Sequence, residues 1–152
     1  MPKVKVNPQA KAPEFNAVQA GEYRMKFERV DDAVGQSEKG NWSVKMRLVH
    51  LAPSGSLIGI SGEPLKPSEL PSSVFQNFMM NPEWQGNLRQ AFEAAGLQWP
   101  TEEAEFESEE AFGNWIQEAL DQKEVIARLK TENYQGNWNN KVARFVVPEA
   151  TA

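Results

Sequence analysis

The chain has 152 residues, 40% of them apolar and 24% charged, a formal net charge of -5 and no cysteine. That length suits one domain with a sizeable core, and the missing thiols exclude disulfides, thiolate metal sites and a cysteine nucleophile. No apolar run approaches the ~20 residues of a membrane span, and the basic start Met1-Pro2-Lys3-Val4-Lys5 has no apolar block behind it, so a cytoplasmic location is expected.

Residues 1–19 carry three prolines and three lysines with little periodicity, and read as an extended, flexible arm. From Gly21, the residues Tyr23, Met25 and Phe27 alternate with Arg24, Lys26 and Glu28, the period of a half-buried strand. A polar connection then leads to Gly40-Asn41-Trp42, where Trp42, Val44, Met46 and Leu48 alternate with Ser43, Lys45 and Arg47. A third strand is expected at Leu57-Ile58-Gly59-Ile60-Ser61, after the turn residues Pro53-Ser54-Gly55-Ser56.

Helical spacing is expected next, from residue 72 to about residue 121. Ser72 and Ser73 are cap-type residues ahead of Phe75, Phe78 and Met79, which fall together on a helix. Trp84, Leu88, Ala91, Phe92 and Ala95 align on a second face, with Gly96 as a stop. Glu102, Glu103, Glu105, Glu107, Glu109 and Glu110 form an acidic block before a helix aligned by Phe112, Trp115, Ile116, Ala119 and Leu120. Val125, Ala127 and Leu129 then alternate with Arg128 and Lys130. The turn at Gly136-Asn137 delivers Trp138 onto a last strand, a second copy of the Gly-Asn-Trp pattern, and Pro148 ends it ahead of a short tail at 149–152.

Three strands, a helical block and a final hairpin predict a mainly β, α+β domain over residues 20–148. Its expected architecture is a five-stranded OB-fold-like barrel with helices between strands 3 and 4. A plain α+β sandwich has the same tally of elements.

If the apolar stripes face the core, the other face of the strands carries Arg24, Lys26, Lys45, Arg47, Arg128, Lys130 and, in one register, Lys141. Arg144 shares a stripe with Val142 and Val146, which leaves its direction open. Cations that track phosphates, beside aromatics on which bases stack, are what sequence-independent binding of single-stranded nucleic acid needs. Trp42, Tyr134 and Trp138 sit at or beside turns and are the candidate stacking rings. Against this stand ordinary alternatives: strand-face cations are commonly just solvated, and a strand tryptophan is more often core. Trp84, Trp99 and Trp115 are assigned to packing.

Enzyme chemistry finds little footing, and no cofactor is expected. His50 is the single histidine and lies between Val49 and Leu51, a structural setting. No glycine loop is followed by the Lys-Ser/Thr of a phosphate site. Asp31, Asp32 and pairs within residues 102–110 offer carboxylates without a third metal ligand at defined spacing. The second class of function is a protein-interaction module or inhibitor that engages a partner through the acidic helical block.

Gly21-Glu22-Tyr23, Lys39-Gly40-Asn41, Gly86-Asn87-Leu88-Arg89 with Ala95-Gly96-Leu97, and Glu132-Asn133-Tyr134-Gln135-Gly136-Asn137 together resemble a family of short phage-encoded proteins. That family lies among replication and recombination genes and is similar to OB-fold single-stranded DNA-binding proteins. The resemblance covers residues 20–148 and implies single-stranded DNA binding in phage DNA replication or recombination, in the cytoplasm of a bacterial host. It also implies a phage recombination or replication protein as a partner, and no membrane. Many single-strand binders end in an acidic tail; Pro148-Glu149-Ala150-Thr151-Ala152 is not one, so the acidic block is the candidate for recruitment. Exposed strand edges permit a homo-oligomer.

Overall fold

The computed structural model describes residues 4–9 and 14–148. It is mainly β, an open five-stranded antiparallel sheet with two α-helices. In chain order these are β1 (Glu14–Asn16), β2 (Gly21–Gln36), β3 (Trp42–His50), β4 (Glu69–Pro71), β5 (Val74–Met79), α1 (Gly86–Ala94), α2 (Glu109–Leu120), β6 (Glu124–Tyr134) and β7 (Asn137–Val146). The large sheet has the order β5-β3-β2-β6-β7, and β1 pairs with β4 in a separate parallel ribbon.

Alternation builds the sheet where it was legible. Met25 and Phe27 on β2, Val44, Met46 and Leu48 on β3, and Val125, Ala127 and Leu129 on β6 are all buried. The third strand is not where it was expected. Residues 57–61 make only isolated bridges, Val18 to Gly59 and Ile58 to Pro64. The third strand is instead β5, inside the stretch expected to be helical from residue 72. Its Val74, Gln76 and Phe78 lie opposite the core residues Leu48, Met46 and Val44 of β3. Burial of Val74 and Phe78 against β3 decides the period, and the α-helices begin only at Gly86.

Edge strands β5 and β7 approach each other across the core. Phe78 on β5 and Phe145 on β7 have ring centroids 6.0 Å apart, and Phe27 on β2 lies 5.5 Å from Phe145. The Phe145 N–H, turned away from β6, donates to the side-chain amide oxygen Oε1 of Gln90 on α1 at 2.8 Å. A side chain of α1 thus satisfies an edge group that would otherwise seek another strand. Leu88, Ala91 and Phe92 of α1 and Ile116 and Leu120 of α2 complete the core.

Part of the expected arm is docked. Val18 is fully buried, and Asn140 on β7 accepts from its N–H and donates to its carbonyl, both at 2.8 Å. Residues 1–3, 10–13 and 149–152 lie outside the described residues.

Helix α2 starts at Ser108, whose hydroxyl accepts from the Ala111 N–H, with Glu109 and Glu110 in the first turn where the helix dipole favours them. It lies so close to β2 that a Cβ on Gly113 would overlap the Val34 Cγ2 methyl and crowd Met80 Cε at 3.3 Å. Alanine is the better helix former, by about 1 kcal/mol. Overpacking should nevertheless win: Gly113→Ala is expected to lose about 1–3 kcal/mol in urea unfolding. A stabilised variant would show that α2 does not seat on Val34.

Candidate functional site

Strand register decides which side chains share a face. Glu28 lies opposite Arg47, Glu22 opposite Arg128, Lys26 opposite Glu124, and Lys130 opposite Lys141. These positions alternate with the buried ones, so they form the outer face of the sheet. On β7 the register shifts by one residue between the Arg128–Arg144 and Leu129–Val142 pairs. That bulge brings Arg144 onto the same face as Lys141 and settles its direction.

The outer face therefore unites all the strand cations named from the sequence: Arg24, Lys26, Lys45, Arg47, Arg128, Lys130, Lys141 and Arg144. It also interleaves Glu28, which the alternation on β2 already placed there, and three further glutamates, Glu22, Glu124 and Glu132. Their pairing is uneven. Glu28 is shared by Arg47 at 2.9 Å and Lys26 at 3.9 Å. Glu22 is shared by Arg144 at 3.8 Å and Arg128 at 3.9 Å. Glu132 is shared by Lys141 at 3.0 Å and Lys130 at 3.3 Å, and hydrogen bonds from these two lysines, Lys141 foremost, hold its carboxyl below the usual range. On this face, among the described residues, only Arg24 and Glu124 pair one to one, at 3.0 Å. Each of the three shared carboxylates leaves one positive charge over, and Lys45 has a ring for a neighbour instead. Its Nζ stands 5.5 Å from the centroid of Phe75.

Such exposed pairs are worth about 0–1 kcal/mol each, so an incoming anion can displace a glutamate at little cost. The surface is a positive track across the strands, on a chain that is negative overall. Phe75, 52% exposed, and the half-exposed Ile126 lie along it.

The aromatics expected beside these cations fall elsewhere. Trp42 follows the buried stripe of Val44 and Met46 and packs partly buried against the core. Trp138 shares the side of the buried Asn140, not that of Lys141. It is 46% exposed and, with Asn137 and Asn139, lines a mainly polar cavity of about 610 Å³ against Ala17, Gly59 and Ser72. Tyr134 pairs through its backbone with Asn137, and its side chain lies outside the described residues. The turn between them is Gln135-Gly136, with φ of 51° and 84°, the doubly left-handed pair of a tight hairpin. Residues 130–141 continue past Gly21, the first residue of β2 paired with β6, so this hairpin projects beyond the sheet. Phe75 is the aromatic the sequence reading missed as a surface group, because it had been counted on a helix.

His50 ends β3 with its ring edge-on to Tyr23 at 5.1 Å, and neither ring nitrogen has a hydrogen-bond partner. Burial lowers its pKa to about 4. The folded state therefore favours the neutral ring: its contribution is complete above the unfolded value of about 6.5 and is lost as pH falls towards 4. The full linkage would be about 3 kcal/mol; water reaching part of the ring reduces that to about 1–2 kcal/mol. Stability of the native chain should fall over that window by this much more than that of His50→Leu, measured by urea unfolding at each pH. Parallel curves would contradict the assignment.

Among the described residues no group of three or more histidine, aspartate or glutamate side chains is placed to hold a metal ion, Asp31 and Asp32 included. No described helix is long and apolar enough to cross a membrane. No protein-family model matches the chain, and no curated protein matches it in sequence.

Proposed function

We propose that the outer sheet face binds single-stranded DNA without sequence preference, as an OB-type single-strand-binding protein acting in phage DNA replication or recombination. The observation that carries this reading is the two-to-one pairing of cations with Glu22, Glu28 and Glu132 on one continuous face. A protein that needed its surface cations only for solubility has no use for three clusters each one charge in surplus. A strand of phosphates does.

The architecture supports the same reading. A meander of β2, β3 and β5, then two helices, then a hairpin whose β6 returns beside β2, with the edge strands drawn together at Phe78 and Phe145, is compatible with the plan of a partly open OB barrel. Phe75 supplies a ring on the cation face, and Trp138 a second at the projecting hairpin. A single strand that follows the cations to the hairpin tip can lay one base on each. Each such stack contributes about 1–3 kcal/mol. The short phage replication and recombination proteins that the sequence resembles fit this role, with a replication or recombination protein as a second partner.

Gel shifts with single-stranded DNA, duplex DNA and RNA at two salt concentrations test it. Single-stranded DNA should shift first, and Trp138→Ala and Phe75→Ala should each weaken binding about tenfold while leaving the melting temperature nearly unchanged. A preference for duplex DNA, or no shift with any nucleic acid, would sink the proposal.

A further inference from the structure

The side of the molecule carrying the helices holds a second surface, opposite in charge to the sheet face. Trp99, Phe106, Phe112 and Trp115, with Pro82 and Pro100, line an open groove of about 500 Å³. The rings pack against one another at a tilt, Phe106 lying 4.9 Å from Phe112 and 5.4 Å from Trp115, and Phe106 is 38% exposed. Glu102 and Glu103 lie on its wall, and Glu107 and Glu109 border a continuation of about 300 Å³ past Phe106. None of the ion pairs among the described residues involves a glutamate of residues 102–110. An aromatic groove walled by uncompensated carboxylates calls for an apolar side chain flanked by lysines.

The chain itself carries such a segment. Val4 and Val6 are 94% and 87% exposed, and Lys5 lies between them. Lys3 precedes them in sequence. Alternation of apolar and basic residues over Lys3-Val4-Lys5-Val6 matches a groove with an aromatic floor and acidic walls, one valine inserting while the lysines meet glutamates. Val4, Lys5 and Val6 of the same chain do not line the groove.

We infer that the groove receives the Lys3-Val4-Lys5-Val6 segment of a second copy of this chain. The contact joins the groove of one copy to the segment of another; two copies that exchange segments close a dimer, and one-way donation builds a ring or a line of copies. It is independent of the DNA reading, because it uses neither the outer sheet face nor the hairpin.

Sedimentation velocity of the full chain without DNA tests it. The wild type should self-associate at low salt and dissociate as salt rises. Lys3→Glu with Lys5→Glu, and separately Glu102→Lys with Glu103→Lys, should each weaken association at least tenfold. The four changes combined in one chain should restore it, a result that mere misfolding of either variant cannot give. A fluorescein-labelled peptide of residues 1–9 should bind the wild type and not Phe106→Ala. A wild type that stays monomeric at low salt, association that survives both charge reversals, or failure of the combined variant to recover would each overturn the inference.

Discussion

Phe145→Ala should be the most destabilising single substitution on the sheet, by about 3–5 kcal/mol in urea unfolding. The ring is buried on edge strand β7 and touches both Phe27 and Phe78, so it is the contact through which the two edges of the open sheet share one core. Truncation leaves a cavity that neither helix can fill, because α1 is held in place by the Gln90 bond to the same residue's N–H. A domain of ordinary stability holds only about 5–15 kcal/mol in total, so the variant should be partly unfolded at 37 °C if the margin is small. Phe75→Ala is the control: also an edge-strand phenylalanine, but half exposed, it should lose less than about 1 kcal/mol. Equal losses for the two would mean that the edges are not joined through Phe145.

The second large effect concerns charge. Replacing Arg128, Lys130, Lys141 and Arg144 together by alanine removes the cations of two of the three surplus clusters and leaves the core untouched. If each neutralises one phosphate, the salt slope of single-strand binding should flatten by about 3, at about 0.7 per phosphate. Affinity at low salt should drop by about 100-fold or more. Stability should change little, since exposed pairs contribute about 0–1 kcal/mol each. Glu132→Gln should act in the opposite direction. It removes the carboxylate that competes for Lys130 and Lys141, and binding should tighten several-fold. Purely structural ion pairs would give neither change in binding. Opposite signs from neighbouring residues are hard to obtain from any general disturbance.

The strands with clean alternation, β2, β3 and β6, were legible because one buried face imposes a period of two, and β7 was placed by its Gly136-Asn137 turn and Pro148 stop. Residues 72–80 were not. Phe75, Phe78 and Met79 suit a helical face, whereas Val74, Gln76 and Phe78 suit a strand, and nothing local chooses between them. The choice is made by β3, whose Leu48, Met46 and Val44 provide the partner surface. Stretch 57–61 has strand-like residues but makes only isolated bridges, Val18 to Gly59 and Ile58 to Pro64, so no ladder forms there.

At the site, the sequence named the cations and, of their carboxylates, placed only Glu28 on the same face. Glu22 and Glu28 alternate in step with Arg24 and Lys26, so their face was readable; which cations they meet depends on cross-strand register, which is not. The bulge that turns Arg144 outward leaves no local mark either. Trp42 shares the stripe of Val44 and Met46 and could have been placed inside from that spacing alone. Trp138 stands apart from the cations because it shares the side of the buried Asn140, opposite to that of Lys141.

The most direct test of the central claim is a tryptophan-fluorescence titration of the native chain with oligo-dT across a range of salt. The account predicts saturable quenching, and a log–log salt slope between about −3 and −6, spanning the surplus charges alone to all eight cations of the face. No quenching at low salt, or binding whose strength ignores salt, would contradict it.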